Sequence, residues 1–315
     1  MNLVIRTENL VKTYYMGGLG KKRKIEAVRD LNLEVERGEI YGFLGPNGAG
    51  KSTTIKVLMN LIFPTSGKAF LFEEPVDDPN VRAKVGFLPE NPYFYDYLTA
   101  EEFLKLNADL YGIPAGEAKN KISELLDFVG LSGFRKTRLK KFSKGMLQRI
   151  GLAQALINDP ELVILDEPTS GLDPIGRKMV LDLIKTLGER GKTVFFSTHI
   201  LNDVESVCTK VGIIIKGKLR KSGNIQKILE ADSDRFRIVL RGASIPQLEK
   251  LKPEKTGDKL VLNHVDSDTM YMVIDIVKKN ANLEILEIER AKKTLEEVFL
   301  EEVEKVKREE GYEAD

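Results

Sequence analysis

Two short stretches carry residue types suited to phosphate chemistry. GPNGAGKST, residues 45 to 53, fits the pattern G-x-x-x-x-G-K-[ST], with Gly45, Gly50, Lys51 and Ser52 at its fixed positions. Glycines let the backbone curl so that successive amides point at one anion, and a helix starting near Lys51 adds the positive end of its dipole. Pro46, Asn47, Gly48, Ala49 and Thr53 complete the wrap around the phosphates. Lys51 has the reach for a β- and γ-phosphate, and the Ser52 hydroxyl is a ligand type for Mg²⁺. This loop alone fits kinases, GTPases and motor ATPases equally well.

The second stretch, LVILDEP, narrows the choice. Asp166 stands at the C-terminal end of an apolar run, where parallel sheets place their ligands, and can hold Mg²⁺ through water. Glu167 follows directly and can orient and deprotonate an attacking water, a step that nucleotide binding alone does not require. An Asp-Glu pair buried there without a role would carry a heavy desolvation cost.

The elements that must position these groups are legible around them. EIYGFLG precedes the loop as a strand and TIKVLMNLI follows it as a helix. ELVILDEP is apolar without alternation, as in a central parallel strand covered on both faces. The next helix starts cleanly, with Asp173 as cap and Pro174 at its first position, and Gly191 ends it. TVFFSTH and VGIII are further buried strands, so the order predicts a doubly wound α/β fold with a parallel core sheet. LVIRTENLVKTYY and LNLEVERGEIYGFLG are strands, with a turn at Arg37-Gly38 and the glycine-rich, basic loop GGLGKKRK between them. Residues 95 to 158 carry helical periodicity and form a mostly helical insertion. Beyond residue 222 short strands (FRIVLRG, KLVLNHV, LEILEIER) alternate with short helices. The expected division is therefore a nucleotide-binding domain at 1 to 222 and a small α+β domain at 223 to 315. The last helix opens with Thr294 and Glu297 in capping-box spacing and sets Leu295, Val298, Phe299, Val303 and Val306 on one face, expected to pack on its own domain.

Composition removes other classes. In 315 residues, 49 Lys and Arg nearly cancel 48 Asp and Glu, so no global field collects nucleic acid, and no nucleic-acid partner is expected. The single cysteine, Cys208, forms no internal disulfide, and two histidines, His199 and His264, make a Cys/His zinc site improbable. The apolar runs fall short of the roughly 18 to 20 residues that a membrane-spanning helix needs, and MNLVIRTENLVKTYY lacks the form of a signal peptide. KKRK at 21 to 24 is either a solvated loop or a contact to lipid headgroups or a membrane partner.

FSKGMLQRIGLAQAL, residues 142 to 156, then resembles the signature segment of ABC-type ATPases. The resemblance covers about residues 3 to 222 and implies that the bound nucleotide is ATP with Mg²⁺. It implies that Ser143 and Gly145 close over the γ-phosphate held by a second subunit. SGLD with Asp173 looks like the family's D-loop, and His199 matches its switch histidine. Tyr14 sits where the family stacks an aromatic on adenine, with Tyr15 as the rival. The Q-loop glutamine, which reaches Mg²⁺ in the family, is replaced by Glu90. The signature reads SKGM where the commonest form is SGGQ, so Lys144 and Met146 depart from it. LPE with SKGM, and the ending TLEEVFLE, are similar to a branch holding drug, antibiotic and sodium exporters and the ATPase halves of lipid exporters.

The resemblance implies the ATP-hydrolysing subunit of an ABC transporter, an exporter by branch. It would dimerise around two Mg-ATP and drive a separate integral membrane permease from the cytoplasmic face of the membrane, as a peripheral protein. Two other readings stand open: a soluble ABC-type clamp on ribosome or nucleic acid, and a regulatory domain that binds ATP without hydrolysing it. For the C-terminal domain a regulatory or dimer-supporting role is expected.

Overall fold

Four short apolar runs build the centre of the protein. In the computed structural model, residues 2 to 16, 23 to 230, 235 to 242, 245 to 291 and 293 to 309 are described. The elements, in chain order, begin with β1 (Leu3–Met16), β2 (Arg23–Glu36), β3 (Ile40–Leu44), α1 (Lys51–Leu58), β4 (Ser66–Leu71), β5 (Glu74–Pro75), α2 (Pro79–Arg82) and β6 (Val85–Leu88). The insertion supplies α3 (Ala100–Leu110), α4 (Ala115–Phe128) and α5 (Lys144–Ala155). There follow β7 (Leu162–Asp166), α6 (Pro174–Glu189), β8 (Thr193–Thr198), α7 (Leu201–Val207), β9 (Lys210–Ile215) and β10 (Lys218–Asn224). The remainder is α8 (Ile225–Glu230), β11 (Arg235–Gly242), α9 (Pro246–Glu249), β12 (Glu254–Thr256), β13 (Lys259–Asp266), α10 (Ser267–Lys278), β14 (Leu283–Arg290) and α11 (Leu295–Glu309).

The core sheet has six strands in the order β10-β9-β3-β8-β7-β6. Its members are parallel except β10, which closes the edge antiparallel to β9. Every residue of β3, β7 and β8 is buried, as the unbroken apolar runs require when helices cover both faces. Tyr41 stacks on Phe195 with ring centroids 5.6 Å apart, and Phe43 lies 5.4 Å from the same ring, locking β3 to β8. A second, antiparallel sheet runs β2-β1-β4-β5 beside this core. The helical insertion has its own apolar cluster, built on Phe103, Leu104, Ile122, Leu126 and Ile150. Its first helix begins at a full capping box between Thr99 and Glu102.

The chain divides into two compact units. One comprises the described residues up to Ile225 together with the helix residues from Glu302 onward; the other is Gln226–Glu301. The sequence boundary at 222 thus lies three residues early, and the end of α11 groups with the first unit rather than with the second. Periodicity cannot show this, because a continuous helix carries no mark where its partners change. The second unit is a four-stranded antiparallel sheet, β12-β13-β11-β14, whose core includes Ile238, Leu240, Leu262 and Val273 of α10. The capping box of α11 is formed: Thr294 N donates to Glu297 Oε2 at 2.8 Å and Glu297 N donates to Thr294 Oγ1 at 3.2 Å.

The end of the stretch GGLGKKRK is strand. Arg23 and Lys24 already belong to β2, which pairs Arg23 with Met16 and Lys24 with Tyr15, and residues 17 to 22 lie outside the described set. The Lys24 ammonium meets Glu26 at 2.6 Å. Among the described residues, no helix is long and apolar enough to cross a membrane.

Candidate functional site

The phosphate-type loop joins β3 to α1, and its shape depends on two glycines. Gly50 caps α1 at φ +107°, a conformation that side-chain-bearing residues rarely adopt, and an added Cβ would overlap the Ala27 carbonyl oxygen. At Gly45 an added Cβ would overlap the Ile214 carbonyl oxygen of β9. The loop is tied to the sheet by Gly45 N donating to Thr198 O at 3.1 Å, and to the turn between β9 and β10 by Gly217 N donating to Ala49 O at 2.9 Å. Lys51 opens α1 and is buried. Its ammonium donates to Gly45 O at 2.7 Å and Pro46 O at 3.2 Å, and lies 3.0 Å from Glu167 Oε1.

Parallel register brings the acidic pair to this lysine. Asp166, the last residue of β7, stands beside Ser197 of β8. The Ser197 hydroxyl donates to Asp166 Oδ1 at 2.6 Å and accepts from Glu167 N at 2.9 Å. Ser52 on α1 donates to the same Asp166 Oδ1 at 3.1 Å. A serine hydroxyl and a carboxylate converging in this way form an oxygen donor set suited to a small hard cation. Glu167 sits at φ +49°, a strained region for a non-glycine residue, which turns its side chain out of the strand direction. His199, just past β8, places Nδ1 2.9 Å from Glu167 Oε2. A carboxylate only accepts, so Nδ1 carries the proton in that contact.

Glu167 therefore has one oxygen on an ammonium and the other on an imidazole, and is almost wholly buried. Such a carboxylate is oriented before any substrate arrives, which is what a water-activating base requires. The segment after it is held by Asp203 of α7, fully buried, which accepts from Thr169 Oγ1 at 2.6 Å and pairs with Arg177 Nε at 2.5 Å. Ser197 and Asp203 are supporting residues that sequence reasoning misses. Ser197 lies two residues before His199 on a strand that is plain in the sequence, and only its alignment with Asp166 across the sheet gives it a role.

The structure brings together Gly45, Lys51, Ser52, Asp166, Glu167 and His199. Ser143 and Gly145 lie elsewhere, in a cleft of about 350 Å³ shared with Gly171 and Asp173. Ser143 caps α5, accepting from Met146 N at 3.3 Å, and Asp173 caps α6, accepting from Gly176 N at 2.7 Å. Tyr14 is exposed at the surface with the Lys12 ammonium 5.3 Å from the centre of its ring, and Tyr15 is more exposed still. Glu90 is exposed and makes no hydrogen bond or ion pair among the described residues. No cluster of three or more His, Cys, Asp or Glu side chains suited to a metal ion occurs among the described residues.

Known proteins place this arrangement. The ABC transporter family model matches residues 28–170. An ABC transporter ATP-binding protein of Synechocystis sp. is 41% identical over 300 residues, 93% of this chain and 84% of that protein. The bacitracin transport ATP-binding protein of Bacillus licheniformis is 46% identical over 222 residues, 70% of this chain and 69% of that protein. Among solved structures, a post-hydrolysis dimer of an ATP-binding cassette bound to ADP and phosphate superposes with a TM-score of 0.63 at 27% identity, over 70% of this chain and 98% of that one. With a formed phosphate loop, an oriented carboxylate and relatives matched along most of their length, the chain belongs to the ABC transporter ATP-binding proteins and is an ATPase subunit of that family.

Proposed function

We propose that this chain hydrolyses Mg-ATP as one half of a two-copy sandwich and drives export through a separate permease embedded in the membrane. The observation that carries the reading is the division of the site: the Lys51–Glu167 centre and the Ser143–Gly145 cleft occupy different places on one chain. In the sandwich, the second copy's signature cleft covers the nucleotide held by the first, so each site is complete only in the pair. The solved cassette dimer with ADP and phosphate supports that pairing, and the named task of the bacitracin transport relative supports coupling to transport; the outward direction follows the branch that LPE and SKGM resemble.

Within each site we assign Lys51 and the amides of residues 45 to 53 to the phosphates, and Tyr14 to adenine. Ser52 and Asp166 would hold Mg²⁺, with Glu90 acting on it through water. Such a metal would supply positive charge against the charge of the phosphates. Glu167 takes the proton of the attacking water, and His199 fixes its orientation. The permease docks beside Glu90, where Tyr93, Tyr95 and Tyr97 present exposed rings in succession, an apolar surface with polar edges. Through that contact the protein is peripheral to the cytoplasmic face of the membrane. The second unit is an accessory domain that regulates or supports the pair.

The decisive experiment is a pull-down of the Glu167→Gln chain with Mg-ATP from detergent-solubilised membranes of the source organism, with partners identified by mass spectrometry. A multispanning protein is expected. Ribosomal or nucleic-acid partners in its place would move the output to a soluble clamp and overturn the transport reading.

A further inference from the structure

Lys144 occupies the first position of α5, directly after the capping Ser143. A cation at the start of a helix opposes the helix dipole, and no acidic residue stands in the first turn of α5 to offset it. The ammonium lies against Gly171, in the space that a Cβ at that position would fill. The groups around it are already committed. Asp173 accepts from Gly176 N at 2.7 Å, and Arg149, the other cation of the cleft, donates to Val129 O at 2.9 Å. The Lys144 ammonium has no hydrogen-bond or ion-pair partner among the described residues.

Among the described helices, only α1 and α5 begin with lysine, and both lack an acid in the first turn. In α1 that lysine is Lys51, placed for phosphate. Lys144 is exposed at the cleft, and a local rule broken beside a binding surface points to a function there.

We propose that Lys144 is a nucleotide-positioning cation acting across the dimer, its ammonium leaving Gly171 to meet the phosphates of the ATP held by the second copy. The proposal rests on the two-copy reading above. It makes Lys144 a source of dimer affinity, with no part in the affinity of a single chain for ATP. It also gives the signature of this chain a charge where the commonest form has glycine.

The test uses the full chain in the Glu167→Gln background with Mg-ATP, comparing Lys144, Lys144→Gln and Lys144→Arg by analytical ultracentrifugation. ATP binding is measured separately at protein concentrations where the chain is monomeric. Removing one charge-assisted hydrogen bond to phosphate weakens binding about tenfold. Two-fold symmetry repeats that bond in the second site of the dimer, so Lys144→Gln raises the dimer dissociation constant about a hundredfold. Lys144→Arg restores most of it, and the dimer of the Lys144 parent weakens more steeply with added salt than that of Lys144→Gln. The Tm of the nucleotide-free Lys144→Gln chain stays level or rises, because a cation opposing the helix dipole is gone; a merely structural lysine would show the opposite sign. An unchanged dimer constant, or a fall in monomer ATP affinity matching the loss in dimerisation, overturns the proposal. If the Glu167→Gln parent itself fails to dimerise, the two-copy reading falls and this proposal with it; a normal parent with an indifferent Lys144 removes this proposal alone.

Discussion

Removing Lys51 should unbalance the nucleotide-free protein as well as its affinity for ATP. The ammonium lies 3.0 Å from Glu167 Oε1, with side chains 5% and 6% exposed. Deleting one partner of a buried pair costs about 3–5 kcal/mol, because the remaining charge is stranded. His199 still reaches the other oxygen at 2.9 Å, so Lys51→Met is expected near the lower end, about 3 kcal/mol. Glu167→Gln strands less, since Lys51 keeps the Gly45 and Pro46 carbonyls, and should cost about 1–2 kcal/mol. In the double variant neither charge is present to be stranded. Its loss should not exceed about 2 kcal/mol, a coupling of about 2 kcal/mol or more between the two positions. Thermal unfolding of the four nucleotide-free proteins, followed by circular dichroism, reads this directly, with about 2–4 °C per kcal/mol for a unit of this size. Additive losses, with coupling under about 0.5 kcal/mol, would show that the pair contributes nothing and refute the reasoning.

Other expectations concern the loop, the base and the lone thiol. Glu167→Gln should lower turnover by about 10²–10⁴-fold while ATP binding persists and the dimer accumulates; near-normal phosphate release would remove Glu167 as the base. Gly50→Ala meets both a positive φ and the Ala27 carbonyl, whereas Gly48→Ala meets a positive φ but open space. ATP affinity should therefore fall much further for Gly50→Ala, and equal losses would contradict the geometry. Cys208 is buried, and burial pushes its thiol well above the usual range. At pH 8 the native protein should resist alkylation that goes to completion in denaturant, and rapid labelling of the native form would count against this packing.

The strands that carry the chemistry are legible because their burial demands unbroken apolar runs, and the loop because glycine positions are dictated by backbone shape. Asp173 can be read as a cap, since capping is local, and its bond to Gly176 N exists. The resemblance assigns His199 and Glu167 to one site, but their contact is not legible in the sequence, because nothing within either stretch aligns two strand ends. Ser197 stays invisible for the same reason, because its function resides in the β7–β8 register, a relation between segments 31 residues apart. The helical hand-over within α11 escapes the sequence because amphipathic periodicity reports that a face is covered and not what covers it. The early start of β2 escapes it because KKRK is polar, and an exposed hairpin end needs no apolar alternation.

The pairing of Asp166 with Ser197 makes the site a gauge of correct folding. A slip of β8 by one residue along β7 would turn Ser197 away from Asp166 and carry His199 out of reach of Glu167. Molecules with that error could not hold the nucleotide, and those without it would gain RT ln(1 + [L]/Kd) from it. In a cell, abundant ATP would thus act as an inspector of newly made chains, drawing correctly aligned copies out of the pool exposed to proteases. Substitutions in β8 far from any phosphate would then surface first as low abundance, before any defect in transport could be measured.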